Sequence, residues 1–310
     1  MAGPMNSKPR IAVLIPCHNE QATIARVVDD FRAQLPEATI YVFDNCCTDE
    51  TGAVAAEHGA VVVREPRKGK GFVIERMLDT VDADVYLMAD GDDTYPADRA
   101  RAMLEPVLSG EADMVVGARL SEFADRSFRP LHVLGNKLVR ELINRIFHAN
   151  LTDILSGYRA FNRRVVNRVP IVSGGFEVET ELTIHTLYYR LRIVEVQVPY
   201  RARPDGSVSK LHTFRDGARV LWKLFNLFRA FKPLTFFGSA AIVLFALGLL
   251  AGWNPVRDYF STGQVAHYPS AILASGLMVL SGIVLILGIL LHAINWRFKE
   301  LHDVLVRGRQ

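Results

Sequence analysis

Residues 85–93 read VYLMADGDD, an apolar run that is followed directly by the acidic segment DGDD. The apolar run has the length and composition of a buried β-strand. Strands of this kind occur in parallel sheets whose two faces are covered by helices. Asp90, Asp92 and Asp93 therefore follow the carboxyl end of a predicted strand, which is where open α/β sheets bind their ligands.

The rest of the first 120 residues alternates between short apolar runs and amphipathic runs. Strands are predicted at 11–15, 39–43, 60–63, 84–89 and 113–116, with helices at 22–34, after 49, at 71–81 and at 97–108. Alternation with short connections is typical of a doubly wound, mainly parallel sheet. We therefore expect an α/β fold with one ligand site at the carboxyl edge of the sheet.

Polar residues also follow the other predicted strands. They are PCHNE at 16–20, DN at 44–45, RKGKG at 67–71 and GAR at 117–119. Asp44, at a strand tip, is placed to accept an N–H from a nucleotide base. The basic turn opens a helix, whose N–H groups attract phosphate, although an ordinary solvated turn explains it equally well. The carboxylates at 90–93 suit a hard divalent cation that would neutralise a diphosphate.

Composition and motifs exclude several classes of protein. Hydrophobic residues make up 50% of the 310 residues and charged residues 22%, which excludes disordered and fibrous chains. The net charge of +3 is too small to indicate a nucleic-acid surface. Cys17, Cys46 and Cys47 form no disulfide framework and no CxxC pair, which fits a reducing compartment without a zinc site. The sequence contains no Walker A loop, no Rossmann fingerprint and no GxSxG motif.

Two uncharged runs, 234–253 and 271–291, lie near the C-terminal end. Each has about twenty residues, the length that spans a hydrocarbon core. The alternative is two buried helices of a soluble domain, but uncharged runs this long are rare in such helices. Basic residues flank the pair on both outer sides, whereas 254–269 holds one Arg and one Asp, which predicts that both chain ends are cytoplasmic. Gly248 and Gly252 leave helix packing open, including a homo-oligomer through these helices.

Two further segments, 131–149 and 214–231, combine an apolar stripe with basic residues. For the first, packing on the sheet and lying in a membrane interface are equally good interpretations. The second leads into a membrane span, so an interface helix is the better interpretation. The predicted organisation is a cytosolic α/β domain at 1–210, a juxtamembrane amphipathic helix at 211–232, two transmembrane helices at 233–296 and a basic cytosolic tail at 297–310.

Taken together, these motifs resemble family 2 glycosyltransferases with a GT-A fold, and more narrowly the polyprenyl-phosphate group typified by dolichol-phosphate mannose synthase. The resemblance covers about residues 10–212, and its motifs are modest singly but specific in their order. The matching segments are PCHNE at 16–20, Asp44, DGD at 90–92, GAR at 117–119, SGYR at 156–159 and RPDGSVSK at 203–210, the last one residue longer than the family pattern. Thr94 stands where the family often has a Gln metal ligand, which leaves Asp93 or water to substitute.

The resemblance implies transfer of a sugar from a nucleotide-sugar, with UDP favoured over GDP, to a membrane polyprenyl phosphate of the undecaprenyl type. It implies a divalent cation, Mg²⁺ or Mn²⁺, inversion at the anomeric carbon and an integral protein of the bacterial inner membrane. The implied catalytic residues are Asp92, Arg119 and Arg203. The implied nucleotide-binding residues are Pro16, Asn19, Glu20, Asp44, Lys70, Asp90 and Gly91. The implied metal ligands are Asp90, Asp92 and Asp93, and the implied acceptor-phosphate residues are Arg126, Arg129, Ser156, Arg159 and Lys210.

Two other functions stay open at this point. A processive membrane polysaccharide synthase usually carries a QxxRW motif and further spans, and this sequence shows neither. A non-catalytic, membrane-tethered nucleotide-sugar-binding protein would not need the full set of acidic and basic residues at the strand ends. No nucleic-acid partner is expected.

Overall fold

The computed structural model describes residues 8–119, 130–171, 178–200, 225–226 and 228–307. The chain forms two compact units, Met1–Val220 and Leu221–Gln310. The first contains the motifs at the ends of the predicted strands, and the second contains the two long apolar runs.

The first unit is built on one sheet of seven strands. These are β1 (Ile11–Cys17), β2 (Thr39–Asn45), β3 (Val61–Glu65), β4 (Val85–Met88), β5 (Met114–Arg119), β6 (Arg159–Asn162) and β7 (Ile193–Val198). Their order is β3-β2-β1-β4-β6-β5-β7. Strand β6 runs antiparallel to β4 and β5, and the other described pairs are parallel. The predicted doubly wound, mainly parallel sheet is confirmed.

Seven helices accompany this sheet in the described residues. They are α1 (Ile24–Gln34), α2 (Thr51–Glu57), α3 (Lys70–Thr80), α4 (Ala100–Leu108), α5 (Pro130–Phe147), α6 (Arg163–Arg168) and α7 (Val178–Tyr188). A 3₁₀ turn, Ala97–Arg99, precedes α4. The elements predicted in the first 120 residues are all present, with ends that differ by up to three residues. Strands β6 and β7 and helices α6 and α7 were not predicted, because their short or evenly buried segments carry little periodicity.

The core lies on both faces of the sheet. Alternate residues of β1 point to opposite faces, so Ile15 joins one buried cluster and Leu14 the other. Phe31 of α1 packs in the first cluster and Met77 of α3 in the second. Two covered faces explain why β1 and β4 read as continuous apolar runs in the sequence.

The second unit contains α8 (Pro233–Thr262) and α9 (Tyr268–Arg307), both long and apolar enough to cross a membrane. Gly248 faces α9, where an added Cβ would lie 3.1 Å from Met278 Cγ and 3.4 Å from the Ala274 carbonyl oxygen. The Ser281 hydroxyl donates to the Ala241 carbonyl at 2.8 Å. The glycine pair noted in the sequence therefore serves packing inside one hairpin.

The hairpin differs from the sequence prediction in its extent. Helix α8 continues past Trp253 and ends at Thr262, followed by Gly263 with a left-handed φ of 72°, a conformation that favours glycine. Helix α9 continues through Arg307, so the described part of the predicted tail, 297–307, is helical throughout. An unbroken helix satisfies its own backbone groups, so it need not end where its apolar stretch ends.

The two amphipathic segments have different outcomes. In α5, Val139 and Ile143 are buried in the first unit, which favours packing within the domain over an interface position. Most of the second segment, residues 214–231, lies outside the described residues.

We expect Gly248→Val to loosen the hairpin, because a larger side chain there has to displace Met278 and the α9 backbone. Overpacking of this kind costs roughly 1–3 kcal/mol. Gly276→Val is the matched control, since an added Cβ at Gly276 meets no atom within 4 Å. The measurement is the thermal stability of the purified protein in detergent. Equal stability of the two variants would contradict this packing.

Candidate active site

The carboxyl ends of three neighbouring strands meet at one edge of the sheet. Strands β2, β1 and β4 lie side by side and are parallel, with Cys17 paired to Asp44 and Leu14 paired to Met88. The segments 16–20, 44–51 and 90–93 are therefore brought together, as the sequence predicts for residues after adjacent parallel strands.

Hydrogen bonds join the ends of β1 and β2. The Asn19 side-chain oxygen accepts the Thr48 N–H at 2.8 Å, and its nitrogen donates to Thr48 Oγ1 at 3.1 Å. The Glu20 N–H donates to Thr51 Oγ1 at 2.9 Å. Asn19 adopts a left-handed φ of 57°, which asparagine tolerates better than most residues. Asn19 and Glu20 thus hold the loop after β1 against the start of α2.

Asp44 closes the turn after β2. Its Oδ1 accepts the Cys47 N–H at 2.8 Å, and Cys46 between them has a left-handed φ of 56°. Burial raises the pKa of the Cys47 thiol to about 11, and burial raises the pKa of Cys17 well above its usual value. Both thiols therefore stay protonated near neutral pH, which fits structural cysteines.

Asn45 organises the turn after β3, a role that sequence reasoning missed. Its buried side chain donates to the carbonyl oxygens of Glu65 at 3.2 Å and Arg67 at 2.7 Å. Its Oδ1 accepts the Gly69 N–H at 2.9 Å. Gly69 has a φ of 144°, a conformation accessible to glycine, and α3 begins at the next residue. The signal in the sequence was an amide at the end of a strand, which alone does not specify a partner.

Arg67 and Lys70, two basic residues of the turn after β3, form ion pairs in different surroundings. Arg67 forms ion pairs with Glu65 at 2.9 Å and Glu75 at 3.0 Å. The Lys70 ammonium lies 2.6 Å from Asp90 Oδ1 and 2.6 Å from Glu179 Oε1, with 13% of its side chain exposed. Lys70 is therefore the residue of this turn that reaches the acidic residues after β4.

The Lys70 ammonium stays charged in this setting. Burial lowers its pKa, but the Asp90 and Glu179 carboxylates outweigh burial and raise the pKa of Lys70 overall. Glu179, in the first turn of the buried helix α7, is 5% exposed. Sequence reasoning missed Glu179, because it follows no predicted strand and only the tertiary fold brings it to this edge.

The acidic turn after β4 does not gather its three carboxylates around one point. Asp92 Oδ1 accepts the Thr94 hydroxyl at 2.6 Å, and Asp93 forms an ion pair with Arg26 of α1 at 3.2 Å. In the described part of the chain, no group of three or more His, Cys, Asp or Glu side chains could hold a metal ion. The structure therefore gives no support to Asp93 as a third ligand, because its carboxylate turns to Arg26.

Two glycines allow close packing around this turn. A Cβ at Gly91 would lie 2.5 Å from Cys17 Sγ, and one at Gly157 would lie 2.7 Å from Asp90 Oδ2. Neither position can take a larger residue without movement of its neighbours. Gly157 thus lets the Asp90 carboxylate pack directly against the loop before β6.

Arg119, at the end of β5, forms a partly buried ion pair. Its Nε and Nη2 donate to the two Asp153 carboxylate oxygens at 2.6 and 3.0 Å, and its guanidinium lies 5.4 Å from the centre of the Tyr200 ring. Burial opposes the charge on both partners, but their mutual contact raises the pKa of Arg119 and lowers that of Asp153. Arg119 is thus charged and already oriented by a carboxylate.

Arg159 supports the loop before β6 from inside. It is fully buried, and its guanidinium donates to the carbonyl oxygens of Ser156 and Ile154 and to Thr183 Oγ1, all within 3.0 Å. Ser156 is also fully buried. The acceptor-phosphate role expected for Arg159 and Ser156 has no support in this geometry, because neither side chain reaches the surface.

The remaining predicted residues are partly outside the described residues. Pro16 lies within β1 and Gly91 within the acidic turn, both at the carboxyl edge. Residues 120–129 and 201–224 are not described. The predicted residues in those ranges are Arg126, Arg129, Arg203 and Lys210.

Comparisons with known proteins agree on one family. The sequence model described as Glycosyl transferase family 2 matches residues 12–169. Glycosyltransferase AglJ of Haloferax volcanii is 35% identical over 79% of this chain and 80% of its own length. The dolichyl-phosphate hexose transferase of the same organism is 28% identical over 68% of this chain and 90% of its own. The undecaprenyl-phosphate mannosyltransferase of Micrococcus luteus is 29% identical over 64% of this chain and 86% of its own.

The fold is also shared with a solved structure. Glucosyl-3-phosphoglycerate synthase from Mycobacterium tuberculosis, crystallised with Mn²⁺, UDP-glucose and phosphoglyceric acid, superposes with a TM-score of 0.58. The two sequences are 26% identical, and the match covers 71% of this chain and 79% of that protein.

We expect Asp153→Asn to destabilise the first unit by about 3 kcal/mol, because Arg119 keeps a charge that is only 14% exposed and loses its carboxylate. The folded-state pKa of Asp153 is lowered, so the pair stabilises fully above about pH 5 and less as the pH falls below about 4. The difference in the free energy of unfolding between wild type and Asp153→Asn should therefore become smaller as the pH falls below about 4. Chemical denaturation at several pH values measures it. Asp82→Asn is the control: Asp82 pairs with Arg10 and Arg163 but is 70% exposed, so its loss should cost under about 1 kcal/mol.

Proposed function

Because the chain belongs to glycosyl transferase family 2, we propose that it transfers a sugar from a nucleotide-sugar to a polyprenyl phosphate held in a membrane. The chain is a glycosyltransferase with a GT-A fold. The convergence of Asp44, Asp90 and Lys70 at one edge of the sheet supports the proposed nucleotide-sugar donor most strongly. A nucleotide diphosphate needs a group that binds its base, a cation for its phosphates and carboxylates that hold this cation.

The donor is proposed to lie along the ends of β1, β2 and β4. Asp44 is half-buried at the tip of β2 and is assigned to the base, with Pro16, Asn19 and Glu20 forming the loop beside it. Lys70, Asp90 and Gly91 are assigned to the diphosphate. UDP is favoured over GDP, and the solved relative that binds UDP-glucose supports this choice.

The carboxylates at this edge fit a divalent cation. Asp90 and Asp92 supply oxygen donors, and Mg²⁺ in such sites is held by one or two carboxylates with substrate phosphates completing its shell. Carboxylate oxygens suit Mn²⁺ equally well. A cation bound here would act as a Lewis acid that stabilises charge on the departing nucleotide.

The acceptor is proposed to be a polyprenyl phosphate of the undecaprenyl type. Two relatives are named for dolichyl-phosphate and undecaprenyl-phosphate, and the chain carries two helices able to cross a membrane. A phosphate monoester has a second pKa of about 6 and is already an anion at neutral pH. It therefore needs cations more than a general base, and Arg119, Arg126, Arg129, Arg203 and Lys210 are proposed to supply them.

Direct attack of the acceptor phosphate oxygen on the anomeric carbon would invert that centre. Asp92, Arg119 and Arg203 are proposed to be the catalytic residues. Arg119 is already charged and oriented by Asp153, so it can stabilise negative charge without rearranging.

Transfer can be tested with the full-length protein, a panel of radiolabelled nucleotide sugars, undecaprenyl phosphate and organic extraction of the product. We expect lipid-linked sugar with a UDP-sugar. The transfer rate should fall by at least about a hundredfold in Asp92→Asn, because one carboxylate ligand of the cation is lost. EDTA should have the same effect on wild type. Asp79→Asn, an exposed acid on α3, is the matched control and should keep its activity. Full activity in EDTA would refute the metal-dependent mechanism.

The site is proposed to face the cytoplasm of a bacterial cell, with both chain ends on that side of the inner membrane. Gln264→Cys, in the connection between α8 and α9, should react with an impermeant maleimide applied to intact spheroplasts. Arg309→Cys should react only after permeabilisation, and labelling of each variant is compared with that of wild type, whose native cysteines are buried or half-buried. The reverse labelling pattern would overturn the proposed orientation.

A further inference from the structure

Lys70 holds together three parts of the fold that are distant in sequence. Its ammonium lies between Asp90 in the turn after β4 and Glu179 at the start of α7, at 2.6 Å from an oxygen of each. The side chains of Lys70, Asp90 and Glu179 are 13%, 26% and 7% exposed. One cation is therefore shared by two carboxylates in a place with little water.

The Lys70 ammonium and a divalent ion would compete for the Asp90 carboxylate. Asp90 Oδ1 contacts the Lys70 ammonium, whereas Oδ2 faces Gly157, where an added Cβ would lie only 2.7 Å away. A divalent ion on Asp90 would be repelled by an ammonium in direct contact with that carboxylate. Lys70 therefore competes with the ion unless its ammonium has another partner.

We propose that Glu179 is a positioning residue that keeps the Lys70 ammonium when Asp90 takes up the divalent ion, before the donor diphosphate is present to pair with Lys70. This inference rests on the proposed function of the same edge. Glu179 already contacts the ammonium, so Lys70 can leave Asp90 by a small movement and remain paired. A buried ammonium without a carboxylate would be strongly disfavoured, so without Glu179 the Lys70 side chain would stay on Asp90.

The proposal makes opposite predictions for two neighbouring residues. Lys70→Met removes the competing cation, so it should tighten binding of the divalent ion. Glu179→Gln removes the alternative partner of Lys70, so it should weaken that binding. A residue that merely keeps Asp90 in place would weaken binding when removed, whichever charge it carries.

The experiment is Mn²⁺ binding to the full-length protein in detergent, followed by loss of the electron paramagnetic resonance signal of free Mn²⁺. We expect the Kd to fall about tenfold in Lys70→Met and to rise about tenfold in Glu179→Gln, since contacts between neighbouring charges readily exceed the 1.4 kcal/mol that corresponds to tenfold. Far-ultraviolet circular dichroism and thermal stability check that each variant is folded. Glu179→Asp, which keeps the charge, should restore part of the affinity.

The double variant isolates the coupling between the two side chains. In the Lys70→Met background, Glu179→Gln should change the Kd several-fold less than it does in wild type, because no ammonium remains to be held. Glu181→Gln is the matched control: it removes another buried carboxylate from α7, one that lies beside His185. An equal effect of Glu179→Gln in both backgrounds, or an equal effect of Glu181→Gln, would overturn the proposal.

The same titrations separate failure of this inference from failure of the proposed function. If wild type binds Mn²⁺, Asp92→Asn does not, and Lys70→Met weakens binding, only the role of Glu179 and Lys70 is wrong. If wild type binds no Mn²⁺ with UDP present or absent, the proposed metal site and this inference are both wrong.

Discussion

Parallel pairing of β1 with β2 on one side and with β4 on the other is the constraint on which the candidate site depends. Parallel strands end at the same edge, so residues separated by tens of positions in the chain become neighbours. Asp44, Lys70 and Asp90 lie at this edge, the last two in direct contact, although each belongs to a different motif. The crossover helices that parallel pairing requires also cover both faces of the sheet and bury its strands.

Charge at this edge is balanced by ion pairs that are largely withdrawn from solvent. Lys70 is shared by Asp90 and Glu179, and Arg119 is held by both oxygens of Asp153. A buried ion would be costly without such a partner, so each pair fixes the position of a group that faces the proposed substrate. The proposed chemistry needs such preorganised charge, because a lipid phosphate and a donor diphosphate repel each other when they approach.

The second unit is packed differently from the first. In α8 and α9 the apolar side chains are largely exposed, as expected for helices that face lipid, and the contacts between the helices come from small residues. Gly248 lets the helices approach, and Ser281 makes a buried hydrogen bond across them. The family model matches residues 12–169 of the first unit, and the second unit lies outside that match.

The sequence by itself determined the fold class, the polar residues at the ends of β1, β2 and β4, and the two apolar helices, because these depend on local periodicity and on the residue types directly after each strand. It did not show β6, β7 or the buried helix α7, whose segments lack a clear periodic pattern. It assigned Arg159 to an acceptor phosphate and Asp93 to a metal, whereas the structure buries the first among backbone carbonyls and pairs the second with Arg26. Only the tertiary structure decided which charged side chains form pairs. Glu179 contacts Lys70 although more than a hundred residues separate them in the chain. Such a contact depends on distance in space, which local sequence does not encode.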